Sequence, residues 1–171
     1  MAPSEFGPLL KALGDHGVEM VVIGGVAAVA QGVPYVTQDL DICFNPEADN
    51  IRKLIRVLVT LDARLRVARM EDDEARSLPF ALDEHTFREN EMLTLQTDLG
   101  PIDLLRSIPG IGDFRAIKAA SKEVNAFGAT FFALDLPGLV ANKKATARRK
   151  DLLALPLLEA TLRARELDQQ S

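Results

Sequence analysis

Apolar residues along the chain follow two spacings, one typical of helices and one typical of buried strands. Runs with helical spacing, bounded by Gly or Pro, predict helices at residues 4–16, 26–32, 47–61, 114–120 and 137–168. Short runs rich in β-branched residues predict strands at 18–23, 39–44, 64–67, 93–97, 102–105, 124–127 and 130–134. Because helices and strands mix without a regular strand–helix–strand repeat, we expect the α+β fold class.

Three further segments are defined by polar and turn-forming residues. Residues 98–101 contain Gly and Pro and predict the turn of a β-hairpin. Residues 70–77 are polar and predict a solvated loop. Pro156 predicts a break in the C-terminal helical tail, because proline removes a helical hydrogen bond.

The composition is that of a soluble globular protein, since 47% of the 171 residues are hydrophobic and 26% are charged. This length suits a single domain over residues 1–171, with a core at about 1–135 and a helical tail at about 137–168. A formal net charge of −5 argues against a protein that coats nucleic acid non-specifically. The single cysteine excludes an internal disulfide, and no apolar run is long enough to span a bilayer. With no secretory signal visible, we expect a cytoplasmic protein.

Gly24 and Gly25 stand between the predicted strand at 18–23 and the helix that follows. Glycine lets a phosphate approach the backbone, and the start of a helix offers N–H groups to it. The pair matches neither the dinucleotide-binding nor the P-loop fingerprint. Taken alone, it is better explained as a tight turn that needs small residues.

Two carboxylates share one face of the predicted strand at 39–44. Side chains alternate along a strand, so Asp39 and Asp41 point the same way and apolar residues fill the other face. Oxygen ligands at this spacing suit Mg²⁺, which would relieve their repulsion, although charges that protect a sheet edge are the alternative. Asp103 alone is best explained as an edge-strand charge, but on a neighbouring strand it would complete a two-metal site.

Positive charge is concentrated in the tail. Five of the twenty basic residues lie between Lys143 and Lys150 with no acid among them, so the rest of the chain carries fifteen basic against twenty-five acidic residues. A polyanion could dock there, although a lone basic run is usually a solvated helix face. In one continuous helix, Lys143 and Lys150 would lie two turns apart on nearly one face.

The order of these motifs resembles the nucleotidyltransferase superfamily typified by DNA polymerase β, and most of all its small bacterial branch related to the AbiEii toxins. The resemblance covers most of the chain. It runs through VIGGVA at 22–27, TQDLDI at 37–42, GPIDLL at 100–105 and KKATARRKD at 143–151.

The resemblance implies a nucleotidyltransferase fold, which is a small mixed β-sheet flanked by helices, here with a C-terminal helical tail. It implies an enzyme that moves an NMP from an NTP to an acceptor hydroxyl. Asp39, Asp41 and Asp103 would be the catalytic residues and would hold two Mg²⁺ ions. The residues that would contact the nucleotide are Gly24, Gly25, Thr37, Lys143, Arg148 and Lys150.

The acceptor stays open between a tRNA 3′ end, a side chain of a partner protein and a small molecule such as an aminoglycoside. If the protein is the toxin of a toxin–antitoxin pair, its partner would be a cognate antitoxin. The alternative is a catalytically silent nucleotide-binding or protein-interaction module of the same fold. The three carboxylates speak against this alternative, since a silent module has no reason to keep a repelling cluster.

Overall fold

The structure is a computed structural model that describes residues 3–170. Its strands are β1 (Met20–Ile23), β2 (Leu40–Phe44), β3 (Arg64–Leu65), β4 (Met92–Thr97), β5 (Gly100–Leu105), β6 (Ser107–Ile108), β7 (Gly112–Asp113), β8 (Ser121–Ala126) and β9 (Ala129–Leu134). Its helices are α1 (Gly7–Asp15), α2 (Gly24–Ala30), α3 (Ala48–Thr60), α4 (Asp72–Arg76), α5 (Glu84–Glu89), α6 (Phe114–Ala119), α7 (Leu136–Thr146) and α8 (Arg149–Gln169). A 3₁₀ helix at Pro3–Phe6 precedes α1.

Seven strands form one mixed sheet in the order β3-β4-β5-β2-β1-β9-β8. β2 runs parallel to β5 and β1 runs parallel to β9, whereas the other neighbours in this sheet are antiparallel. β6 and β7 form a separate antiparallel pair. This mixed sheet with flanking helices and a C-terminal helix confirms the predicted fold class.

The hydrophobic core holds the centre of the sheet in place. All four residues of β1 are buried, so neither face of this strand reaches solvent. β2 differs from β1, because its residue Asp41 is only partly buried while the other four residues of the strand are buried. The rings of Phe44 and Phe87 pack edge to face with centroids 5.6 Å apart, which ties the end of β2 to α5. The core therefore positions β1, which ends just before Gly24, and β2, which carries Asp41.

Most predicted elements are present with bounds shifted by a few residues, but the loop predicted at residues 70–77 is wrong. This segment contains α4, which has three acids in its first turn and Arg76 in its last. Charges in this order favour a helix because they oppose its dipole. Arg76 also donates to Asp62, just before β3, which ties α4 to the sheet edge.

The break predicted at Pro156 is also wrong, because α8 continues through this residue. The chain turns earlier, at Ala147, whose left-handed φ of 48° follows the end of α7. Asp151 in the first turn of α8 pairs with Lys143 and Arg148, and these ion pairs stabilise the corner. Among the described residues no helix, α8 included, is long and apolar enough to cross a membrane.

Candidate active site

Two of the predicted site acids lie side by side on neighbouring strands. β2 and β5 are parallel, and Asp41 is directly opposite Asp103 in their register. Residues paired in this way point to the same face of a sheet. Asp39 lies just before β2, and its side chain reaches the same cluster because Arg66 donates to both Asp39 and Asp103. The structure thus brings the D-x-D segment and the aspartate of a later strand together over one face.

Gly24 and Gly25 lie directly against this acidic segment. Gly24 has a φ of +63°, and a Cβ atom there would lie 2.3 Å from Oδ2 of Asp41. A Cβ atom on Gly25 would lie 2.6 Å from both Cβ and Oγ1 of Thr37. Any side chain at either glycine would therefore collide with the acidic strand or the segment that leads into it. Thr37 itself is buried, and its hydroxyl donates to the backbone carbonyl of Asp39 at 3.1 Å, which orients the D-x-D segment.

Burial and neighbouring charges raise the pKa of Asp41 to about 7. Burial is the largest cause, followed by repulsion from Asp39 and Asp103. Lys143 and Lys150 act in the opposite direction, and their attraction lowers the pKa. The Asp41 carboxylate is therefore close enough to two other acids and two tail lysines to interact with all four.

Arg66 neutralises part of this acidic cluster, and sequence reasoning missed it. Its Nη2 atom donates to Oδ1 of Asp103 at 2.7 Å and to Oδ2 of Asp39 at 3.2 Å. Burial raises the pKa of Asp103, and the hydrogen bond from Arg66 opposes that rise. The sequence signal for Arg66 was the predicted edge strand at 64–67, in which Arg64 and Arg66 share one face.

The basic tail is organised around Asp151, which is fully buried. Lys143 Nζ lies 2.6 Å from one of its carboxylate oxygens and Arg148 Nε lies 2.7 Å from the other. Burial disfavours the ionised form of Asp151, but the hydrogen bonds from Arg148 and Lys143 outweigh burial and hold its pKa well below the usual range. Asp151 therefore fixes two of the predicted phosphate-contacting cations, a role that sequence reasoning had not assigned.

The tail reaches Asp41 from two helices and not from one. Because α7 ends at Thr146 and α8 begins at Arg149, the continuous helical face predicted for Lys143 and Lys150 is wrong. Both lysines nevertheless interact with Asp41. Arg148 also interacts with it: its pKa is raised mainly by the hydrogen bond to Asp151 and further by the Asp41 charge. A narrow cleft lined by Gly24, Gly25, Tyr35, Lys143 and Leu158 separates the glycine turn from the tail.

The donor types at the cluster fit a magnesium site, but their present arrangement does not yet form one. Carboxylate oxygens are the ligands that Mg²⁺ prefers, and a positive group already bridges Asp39 and Asp103. That group is the Arg66 guanidinium. Within residues 3–170, no three acidic, histidine or cysteine side chains are arranged to hold a metal ion as they stand. The guanidinium therefore lies between two of the three acids.

The fold is shared with solved nucleotidyltransferases. The lincosamide antibiotic adenylyltransferase LnuA, solved with lincomycin bound, superposes with a TM-score of 0.60 at 15% identity, over 92% of this chain and 96% of that one. ANT(2″)-Ia, solved with adenylyl-2″-tobramycin, gives a TM-score of 0.57 at 13% identity, over 94% of this chain and 88% of that one. At such identities the likeness establishes the nucleotidyltransferase fold and nothing finer.

No protein-family model matches the chain. No curated protein matches it either. The branch related to the AbiEii toxins therefore stays a prediction from the sequence motifs. What the fold and the site define together is a chain with the nucleotidyltransferase architecture, in which a glycine turn, three acids and a basic tail meet.

Proposed function

We propose that this protein is a Mg²⁺-dependent nucleotidyltransferase that moves an NMP from an NTP to the hydroxyl of an acceptor. The observation that carries the proposal is the pairing of Asp41 with Asp103 in register, with Gly24 in contact with Asp41 and Lys143 close enough to lower its pKa. These residues lie near one another where β1 ends beside Asp41 of β2, which supports binding of a metal-bound triphosphate there. The nucleotidyltransferase fold of the neighbours supports the same reaction class.

Each residue has a distinct role in the proposed reaction. When bound, the two metal ions would activate the attacking hydroxyl and stabilise the leaving pyrophosphate. Asp39, Asp41 and Asp103 would hold them. Gly24 and Gly25 would let the triphosphate approach the backbone, since neither position has room for a side chain. Positive charge from Lys143, Arg148 and Lys150 would neutralise the phosphates, with Asp151 positioning the first two.

We favour a small molecule as the acceptor. Ion pairs offset two of the five positive charges that the tail would offer to an RNA, because Lys143 and Arg148 share Asp151, and Lys144 pairs with Glu159 at 2.9 Å. A cavity of about 360 Å³ adjoins the acids on the side of Arg66, which is a size typical of small-molecule sites. LnuA and ANT(2″)-Ia are themselves solved with lincomycin and an adenylylated tobramycin.

The labelling experiment described below also tests the other acceptors that the sequence analysis left open. Labelling of tRNA or of a protein would move the acceptor to that class. A toxin–antitoxin role, with a cognate antitoxin as partner, stays a prediction from the resemblance. The silent nucleotide-binding module is a second candidate, and one observation favours it: the single positive charge of Arg66 already pairs with two of the three acids.

The test is incubation with each of the four NTPs labelled at the α-phosphate, with Mg²⁺, against lincomycin, tobramycin, total tRNA and a cell lysate. The proposal predicts that label moves to an acceptor in the wild-type protein and not in Asp41→Asn. The exposed acid Asp73 provides the control, because Asp73→Asn removes the same charge away from the cluster. Tight NTP binding with no labelled product in any mixture would support the silent module instead.

A further inference from the structure

Arg66 extends a row of polar residues that crosses the sheet. In register, Asp41 is opposite Asp103, and Asp103 is opposite Thr94. The backbone N–H of Arg66 donates to the carbonyl of Thr94 at 3.0 Å, which continues the row beyond the end of β3. All four side chains therefore start from the same face, and the guanidinium reaches the acids over Thr94.

The guanidinium of Arg66 is held by charge more than by geometry. A single nitrogen, Nη2, serves both Asp39 and Asp103, while the buried Nε has no hydrogen-bond partner among residues 3–170. Arg64, two residues earlier, shows the well-matched case: its Nε and Nη2 donate separately to the two oxygens of Asp72, at 2.6 and 2.8 Å. One positive charge with an unsatisfied donor, set against two carboxylates, is a partner that a hard divalent cation can replace.

The structure also provides space for the displaced side chain. The cavity of about 360 Å³ is lined by Arg64, Arg66, Val67, Met70, Gln96 and neighbouring residues of β3 and α4. The cavity lies next to the acids, since Arg66 lines the cavity and also contacts Asp39 and Asp103. Arg66 itself lines the cavity, so a change of side-chain rotamer would move the guanidinium toward it while the backbone bond to Thr94 is kept.

We propose that Arg66 is a displaceable cation that holds Asp39 and Asp103 in the metal-free protein and competes with divalent ions for them. This inference rests on the proposed function, because it concerns the acids to which we assign the metal. It explains why the acids lie together without a metal-binding arrangement of their own. It also predicts that metal entry transfers the guanidinium to the cavity, where it faces the small-molecule acceptor.

The test is a calorimetric titration of Mn²⁺, without nucleotide, into the wild-type protein, Arg66→Gln and Arg56→Gln. Arg56 is exposed on α3, so Arg56→Gln loses the same charge away from the site. We expect Arg66→Gln to bind Mn²⁺ about tenfold or more tightly than the wild type, because loss of a charge-assisted hydrogen bond frees the acids for the metal. Arg56→Gln should stay within about twofold.

Thermal unfolding gives a second readout and checks that the variants fold. Without metal, Arg66→Gln should melt below the wild type, and Mn²⁺ should raise its melting temperature more. Arg66→Lys keeps the charge and should bind Mn²⁺ with an affinity between those of the wild type and Arg66→Gln. Equal Mn²⁺ affinity in Arg66→Gln and Arg56→Gln would overturn the competition while leaving the proposed function standing. Absence of Mn²⁺ binding in all variants would overturn the metal-dependent function as well.

Discussion

Asp41→Asn should stabilise the metal-free protein at neutral and alkaline pH. The pKa of Asp41 is about 7 in the folded protein against an ordinary value of 3.8. The folded state therefore holds this proton more tightly than the unfolded state, so stability is lost as pH rises through this window. A loss of about 1.4 kcal/mol per pH unit over roughly three units sets a ceiling of about 4 kcal/mol. Asparagine has nearly the same shape and cannot ionise, so the variant avoids this loss.

Urea unfolding in EDTA, at pH values from about 5 to about 8, measures the effect directly. The difference in unfolding free energy between Asp41→Asn and the wild type should grow by up to about 1.4 kcal/mol per unit until about pH 7 and then level off. Asp73→Asn, which removes an exposed acid, should differ from the wild type by less than about 0.5 kcal/mol throughout. A difference that does not change with pH, or an Asp41→Asn protein less stable than the wild type at pH 8, would refute the reasoning.

Other predictions follow from the glycine turn, the tail and the metal. Gly24→Ala should lower the free energy of unfolding by about 3 kcal/mol and abolish transfer, because its Cβ would meet Asp41. Gly32 has a φ of +87° but open space around it, so Gly32→Ala should lower the free energy of unfolding by about 1 kcal/mol and keep activity. Lys143→Ala should lower the free energy of unfolding by about 2 kcal/mol and the rate of nucleotidyl transfer at least tenfold. Lys144→Ala removes a more exposed pair with Glu159 and should change the free energy of unfolding by under about 1 kcal/mol. An NTP should raise the melting temperature with Mg²⁺ and have little effect in EDTA, since bare carboxylates repel phosphate. Chemical denaturation, steady-state transfer and thermal shift measure these outcomes in turn.

What the sequence predicted best depends on neighbours along the chain. The alternation that predicted Asp39 and Asp41 on one face is a property of any strand, and the glycines mark where β1 ends. The pairing of Asp41 with Asp103 is different, because register between β2 and β5 depends on packing of the whole sheet. The resemblance to a family, and not periodicity, suggested that Asp103 belongs with the others.

What the sequence did not predict depends on ion pairs between distant segments. The predicted strand at 64–67 includes Arg66, but only the fold shows that its side chain reaches Asp39. Asp151 entered the sequence analysis only as the last residue of the KKATARRKD motif, yet it is buried and fixes the corner between α7 and α8. The proline rule alone placed the break at Pro156, because it could not account for the ion pairs that place the turn before α8.

The central claim is that this cluster of acids transfers a nucleotidyl group, and paired labels test it most directly. The wild-type protein and Asp41→Asn are each incubated with Mg²⁺ and with the acceptor that the NTP screen identifies. The preferred NTP is labelled at either the α- or the γ-phosphate. The account predicts that the α-label appears on the acceptor, that the γ-label leaves as pyrophosphate, and that a folded Asp41→Asn protein does neither. Transfer of the γ-label to the acceptor, or full α-transfer by Asp41→Asn, would contradict it.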